Sequence, residues 1–438
     1  MALAGLEEWP MSDLDFARAQ MAVSLGFHIV FAAIGVSLPA LMTIAEWRHL
    51  RTGDEVYLDL ARRWAKGTSI LFAVGAVSGT VLSFELGLLW PRFMEFSGAI
   101  IGMPFSLEGF AFFTEAIFLG IYLYGRNRVS PRLHFASAVA VSVSGAASAF
   151  FVVLANAWMN TPAGFQLRGG VPVDVRPLRA MFSPNAASEV IHVLLSSYLA
   201  TAAAMLAIHA FFLLRNRESR FHRAAFSIAG WVFAVSALLQ PISGDFSARK
   251  VAQNQPAKLA AMEGQFRTET GAPLRIGGFP DPATRTTHFA LEIPHGLSLL
   301  AFHDPGARVL GLENFPERDW PDTRVVHVAF QIMVGCGSVL ALFAMAWLVK
   351  RREPPRWLLK LLVACGPLGF LAIEAGWTVT EAGRQPWTIY GIVRTSEAVT
   401  QVSGLRTPFF LFTALYVLLG SVVAALLTQQ FVRSAHAD

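Results

Sequence analysis

Nine apolar runs of membrane-crossing length dominate this chain, at about 24–46, 68–90, 105–125, 133–157, 187–214, 225–242, 325–349, 357–380 and 407–432. Hydrocarbon offers no water to backbone N–H and C=O groups, so each run can cross a bilayer only as a helix whose hydrogen bonds close within itself. The expected fold class is an all-α polytopic membrane protein with about nine transmembrane helices, the sixth run being the weakest. Composition agrees: 54% of the 438 residues are hydrophobic and 15% are charged, a balance suited to lipid rather than water.

The charges that remain set the orientation. Four connections are basic, "EWRHLRTGDEVYLDLARRWAK", "GRNRVSPR", "RNRESRFHR" and "KRREPPRWLLK", and they alternate with poorer ones such as "PRFMEFSGAIIGMP". The positive-inside rule places the basic connections in the cytoplasm, which puts the N-terminus outside and, after an odd number of spans, the C-terminus in the cytoplasm. The formal net charge of +5 is spent on these clusters, so no nucleic-acid partner is implied. Cys336 and Cys365 lie singly in apolar runs and are expected to be small fillers, without a disulfide or zinc site. The acidic start "MALAGLEEWPMSDLDFARAQ" lacks the basic region of a cleaved signal peptide.

The runs divide the chain into residues 1–242 with six spans, a polar outer excursion at 243–323, and residues 324–438 with three spans. The excursion is too long for a plain connection, and "QPAKLAAMEGQFRTETG" within it reads as a short amphipathic helix. A binding role and a lid are both open to it. No repeat, phosphate-cradling glycine loop or nucleophile elbow occurs.

Chemistry has to come from polar side chains inside the spans. Glu108 and Glu115 stand seven residues apart in "LEGFAFFTEAIFLGIYLYG", so they share one helical stripe about 10 Å long. Each charge costs roughly 2.5 kcal/mol or more at membrane depth, so a partner or a function must hold it there. His28, His192 and Met333 fall within about two turns of the outer ends of their expected spans, and Glu374 lies about 9 Å below the outer end of its own. Imidazole, thioether and carboxylate are axial donors to haem iron, and a His/Met pair gives a low-spin electron-transfer haem. The competing reading makes the histidines hydrogen-bonded core residues and the methionine a packing residue. Glu85 is expected either beside such a site or paired with Arg92. Arg384 is expected to neutralise a haem propionate or to anchor a helix end. Asn156 and Trp158 fit an interfacial belt, and His209 and His222 fit solvated positions at the inner end of the fifth span.

The hexapeptide "GRQPWT" at 383–388, preceded by "EAGW" at 374–377, resembles the signature of subunit I of cytochrome bd-type quinol oxidases, and the similarity runs along essentially the whole chain. The resemblance implies that His192 and Met333 ligate a low-spin haem b. It further implies that His28 and Glu374 serve the two haems of an oxygen-reducing centre, a high-spin haem b and a haem d or third haem b. Lys258 and Glu263 in "KLAAMEG" match positions implicated in quinol oxidation, and Glu108 and Glu115 match an acidic pair tied to the oxygen site and its protons. By the same resemblance the chain belongs in the bacterial cytoplasmic (inner) membrane beside a second membrane subunit, subunit II, with room for small single-span subunits. It would oxidise quinol at the outer face and reduce O2 to water with cytoplasmic protons, electrogenically and without pumping. Two departures stand out. The family's "FRIMVACG" reads "FQIMVGCG" here, with Gln331 where an arginine is common, and the outer loop lacks a long insertion, like the short-loop branch that includes cyanide-insensitive oxidases. A dihaem electron carrier without an oxygen site, or a secondary transporter, is the alternative; matched halves with broken helices, which transport favours, are not evident.

Overall fold

A computed structural model describes residues 11–435; the first half of the acidic N-terminal stretch lies outside the described residues. The long helices are α1 (Asp13–Thr52), α2 (Glu55–Leu89), α3 (Pro91–Gly125) and α4 (Pro131–Asn160), then, after a short α5 (Pro177–Met181), α6 (Ala186–Arg215) and α7 (Arg220–Asn254). A buried helix α8 (Pro256–Glu263) and a short α9 (Gly296–Phe302) belong to the excursion. They are followed by α10 (Thr323–Lys350), α11 (Arg356–Cys365), α12 (Leu368–Ala382), α13 (Thr395–Ala398) and α14 (Arg406–Ala435). Among the described residues nine segments are long and apolar enough to cross a membrane, as expected.

The boundaries follow local chemistry. Ser12 caps α1 in a reciprocal capping box with Asp15, and Gly53 closes that helix with φ 69°. Asp54, Ser130 and Asp322 cap α2, α4 and α10. The eighth run is two helices rather than one, because Pro367 has no N–H to continue the ladder.

Two expectations need correcting. The sixth run, the most marginal of the nine in the sequence, is a 35-residue helix that continues to Asn254, so the excursion proper starts at Gln255. Its polar end packs against α8 and α9 and carries the Asp245–Arg249 ion pair, 2.8 Å apart and one turn along the helix, and hydropathy carries no signal for such a continuation. Helix α8 is not amphipathic either: every residue from Ala257 to Glu263 is buried. The remainder of the excursion is pinned by three short antiparallel pairs, Glu269–Thr270 with Arg308–Val309, Leu274–Ile276 with Leu291–Ile293, and Phe279–Asp281 with Thr286–His288.

Helix α1 packs on α2, α4, α6 and α14, and α6 packs on α7, α11 and α12, so α1 and α6 are the inner staves of the bundle. Small residues allow this. An added Cβ at Gly369 would lie 2.4 Å from Ala200 Cα, and one at Gly230 would lie 2.0 Å from the Trp347 ring. His209 and His222 are buried and hydrogen-bonded to each other at 2.9 Å, not solvated. Trp158 is 1% exposed and donates to the Ala163 carbonyl, so it belongs to the core and not to an interfacial belt.

Candidate functional site

Between α1–α4 and the start of the "GRQPW" segment lies a cavity of about 1050 Å³ whose walls include His28, Glu108, Glu115, Ser148, Trp377 and Arg384. His28 reaches it from α1, with its ring laid over Gly79 of α2, where an added Cβ would be 3.0 Å from Cε1. Its Nδ1 is 2.9 Å from Ser78 Oγ, and that hydroxyl gives its own hydrogen to the Val74 carbonyl. With that hydrogen on the carbonyl, Ser78 accepts from Nδ1–H, the arrangement that leaves Nε2 a bare lone pair.

His192 on α6 repeats the arrangement. Its Nδ1 is 3.0 Å from Ser243 Oγ, whose hydrogen goes to the Gln240 carbonyl, so again Nε2 is the lone-pair nitrogen; the Gln240 side-chain amide, 3.2 Å away, donates toward it. Hydroxyls that fix the tautomer of a ligating histidine are what a metal site requires. Met333 Sδ on α10 lies against Gly376 of α12, where an added Cβ would be 3.0 Å away. Glu374, on the same stretch of α12, turns Oε2 to Gly26 of α1 and leaves Oε1 buried without a partner among the described residues. His192, Met333 and Glu374 are not among the cavity walls; the structure groups His28 with Glu108, Glu115 and Arg384, and sets the other three on the α6, α10 and α12 side.

Below the carboxyl end of α4 a second group of polar residues converges. Lys258 Nζ donates to Asn160 Oδ1 at 2.9 Å, and the lysine stem runs over Gly383, 3.0 Å from where a Cβ would be. Gln255 donates to the same Asn160 oxygen at 3.2 Å, and Asn156 donates to Glu381 at 2.6 Å. Glu381 pairs with Arg384, which is buried and keeps Nε and Nη1 without partners among the described residues. Burial lowers the Lys258 pKa, Glu189 pulls it back up, Arg384 lowers it and Glu381 raises it. Glu263 lies five residues further on the same short helix and faces elsewhere. Burial pushes its carboxyl up to about 8 against the pull of Arg275, and its Oε2 has no partner among the described residues.

On α3, Glu108 accepts from Ser148 Oγ at 3.1 Å, and Glu115 sits against Gly145, whose missing Cβ would be 3.3 Å from both carboxyl oxygens. Glu85 does not pair with Arg92, which is exposed; it accepts from Gln20 and Ser24, each at 2.9 Å.

The donor set fits haem. Two lone-pair imidazoles, a thioether, an unpartnered buried carboxyl and a buried guanidinium with two free donor atoms surround or adjoin a large apolar cavity. The sequence matches the cytochrome bd terminal oxidase subunit I family over residues 16–435. The chain belongs to that family. It is 38% identical over 430 residues, 96% of this chain and 97% of the relative, to a Bacillus subtilis protein named as a cytochrome bd menaquinol oxidase subunit I. It is 31% identical to subunit 1 of a cytochrome bd ubiquinol oxidase from the same organism, covering 98% of this chain and 95% of the relative. Against the solved bd oxidase of Geobacillus thermodenitrificans the TM-score is 0.91 at 38% identity, covering 96% of this chain and 99% of that one. The chain is thus a multi-pass membrane protein of a haem-dependent quinol oxidase family, and subunit I implies a subunit II.

Gln331, which departs from the pattern that the resemblance implied, has a structural role. Its amide donates to the Arg275 carbonyl at 3.0 Å and its oxygen accepts from Gly277 N at 2.9 Å, so it ties α10 to the excursion. Sequence reasoning missed Asn160, Glu189, Glu381, Ser78 and Ser243. Glu189 and Glu381 did carry a signal, a carboxylate three residues before His192 and three before Arg384.

Proposed function

We propose that this bd oxidase subunit oxidises quinol at the face carrying the excursion and supplies protons for oxygen reduction from the face carrying the basic connections. The observation that most supports it is the matched treatment of His28 and His192, each with Nδ1 within 2.9 Å or 3.0 Å of a serine hydroxyl, which leaves Nε2 as the nitrogen on the far side of the ring. His192 and Met333 would hold a low-spin haem b, and His28 and Glu374 a high-spin haem b and a haem d or third haem b, with Arg384 toward a propionate. Bound there, these groups supply electron transfer and oxygen binding.

The protein's own part is proton management. Glu263, with a pKa near 8 outside the lipid, can take a quinol proton and pass it to the outer aqueous side. Lys258, anchored on Asn160, offers its ammonium to a developing quinol anion. Glu108 and Glu115 form a stripe that can hold protons inside the bundle. With quinol protons released on one face and the protons of water formation drawn from the other, charge is separated without a pump. The excursion from Gln255 to 323 acts as the quinol-binding unit, and the inner membrane of a bacterium and a second subunit complete the setting.

Optical spectra of the detergent-purified oxidase test the reading. His192→Ala and Met333→Leu should each abolish the low-spin b signal while the protein still inserts. An unchanged low-spin spectrum in both variants overturns the ligand pair, and a wild-type protein without haem bands overturns the oxidase reading.

A further inference from the structure

The stripe of α3 does not end at Glu115. Seven residues on, again two turns along one face, stands Tyr122, whose hydroxyl donates to Glu46 Oε2 of α1 at 2.9 Å. Arg126 donates to the same oxygen at 2.7 Å, and His134 of α4 places Nδ1 3.2 Å from the other, Oε1. Glu46 and His134 are buried, while the side chain of Arg126, at the start of the basic connection "GRNRVSPR", is 26% exposed. On the α2 side the group is closed by Leu60, Ala61 and Trp64, which are apolar. All four polar residues lie next to the basic connections, at the end of the bundle opposite the excursion.

The hydrogen-bond pattern forces a proton into this group. His134 Nε2 is 2.9 Å from the Tyr122 carbonyl, an oxygen in the last turn of α3. A carbonyl can only accept, so Nε2 carries a hydrogen. A neutral ring would then turn a bare Nδ1 lone pair toward Glu46 Oε1, and two acceptors 3.2 Å apart in a buried site repel. Either the ring is imidazolium beside a carboxylate, or the carboxyl is protonated and donates to Nδ1. In both descriptions one proton lies between Glu46 and His134.

We infer that the Glu46–His134 pair is the proton-loading site of the Glu115/Glu108 stripe, filled from the aqueous face beside Arg126 and emptied past Tyr122. Only O–H and N–H bonds change: the pair gives up its shared proton toward Glu115 and regains one from solvent. The inference rests on the proposed use of Glu115 as a proton carrier and adds where the carrier is loaded. It also explains why an ion-paired carboxylate and an imidazole are buried together at a membrane boundary where lone basic residues would satisfy orientation.

The test uses the intact two-subunit oxidase, fully reduced and mixed rapidly with O2, in H2O and D2O, with a pH-indicating dye. Glu46→Gln should slow the proton-uptake phase about a hundredfold and change its solvent isotope effect, and Glu46→Asp should regain most of the rate. Haem spectra and haem reduction by quinol should be normal in both. Infrared spectra of the resting protein read the pair without turnover: an isotope-sensitive shared-proton band should be present in the wild type and absent from Glu46→Gln and His134→Asn. Normal uptake kinetics in Glu46→Gln overturn the inference, as does a wild type without that band. Should Glu46→Gln not assemble, His134→Asn and Glu46→Asp carry the same comparison. Slowed uptake in Glu115→Gln with normal uptake in Glu46→Gln removes the loading site alone; normal uptake in both removes the relay itself.

Discussion

Lys258 Nζ lies 2.9 Å from Asn160 Oδ1, and this bond fastens the buried helix α8 to the end of α4, with the lysine stem lying on Gly383 of the "GRQPW" segment. The excursion is thereby fixed to the bundle at the point where Arg384 and Glu381 converge. Replacing Lys258 by Met keeps the stem and removes the charge. Quinol-driven oxygen consumption should fall by roughly ten- to a hundredfold, while consumption driven by an artificial donor that reduces the haems directly stays near normal. Equal losses in the two assays would place the lysine in a purely structural role.

The proposed role of Glu263 as proton acceptor predicts a pH dependence. A carboxyl held at about 8 is protonated and unable to accept a proton below that pH, and becomes a base above it. The kcat/KM for quinol should therefore climb as pH rises from 6 toward 8 and level off above. In Glu263→Gln the climb should vanish along with most of the activity. Arg275→Ala should move the midpoint upward, because the guanidinium lowers this pKa. A profile that keeps its wild-type limb in Glu263→Gln would assign the titration to another group.

The serines beneath the histidines should act through tautomer choice. Ser78→Ala and Ser243→Ala remove the acceptor of Nδ1–H, and loss of such a supporting bond typically weakens a metal site about 10- to 100-fold. Haem retention during purification should drop in each, with the low-spin signal affected by Ser243→Ala and a high-spin signal by Ser78→Ala. Unaltered occupancy and spectra in both variants would mean that the hydroxyls serve packing only.

Glu115→Gln keeps shape but cannot exchange a proton, so the proton-coupled steps after oxygen mixing should slow, with haem reduction by quinol little changed. Glu108→Gln should instead disturb the high-spin spectrum, since Glu108 shares the cavity wall with His28. If both glutamates are merely structural, yield and thermal stability fall while turnover of the folded protein is normal.

Gly230 tests the core independently of chemistry. A methyl there would sit 2.0 Å from Trp347 Cζ2, so Gly230→Ala should cost about 1–3 kcal/mol and lower the thermal midpoint without altering the haem spectra of what remains folded. An unchanged midpoint would show that the ring can swing aside.

What the sequence determined by itself was local: nine crossings, because apolar length is a property of a contiguous segment, and the donor types, because imidazole, thioether and carboxylate are visible wherever they fall. "GRQPWT" with its upstream Glu374 carried the family. Partnership across helices was decided only by tertiary structure. The continuation of α7 to Asn254 depends on packing that a hydropathy window does not contain. Glu85 found Gln20 and Ser24 on α1 instead of Arg92 in its own neighbourhood. His28 and His192 acquired their tautomers from Ser78 and Ser243, some fifty residues away in each case. Lys258 and Glu263, close in sequence, were turned toward different neighbours by the pitch of one short helix. Glu46 met His134 because α1, α3 and α4 end together at one face, which no single segment encodes. A side chain's chemistry belongs to its residue, but its protonation and its partner belong to the groups that the fold brings within hydrogen-bond reach.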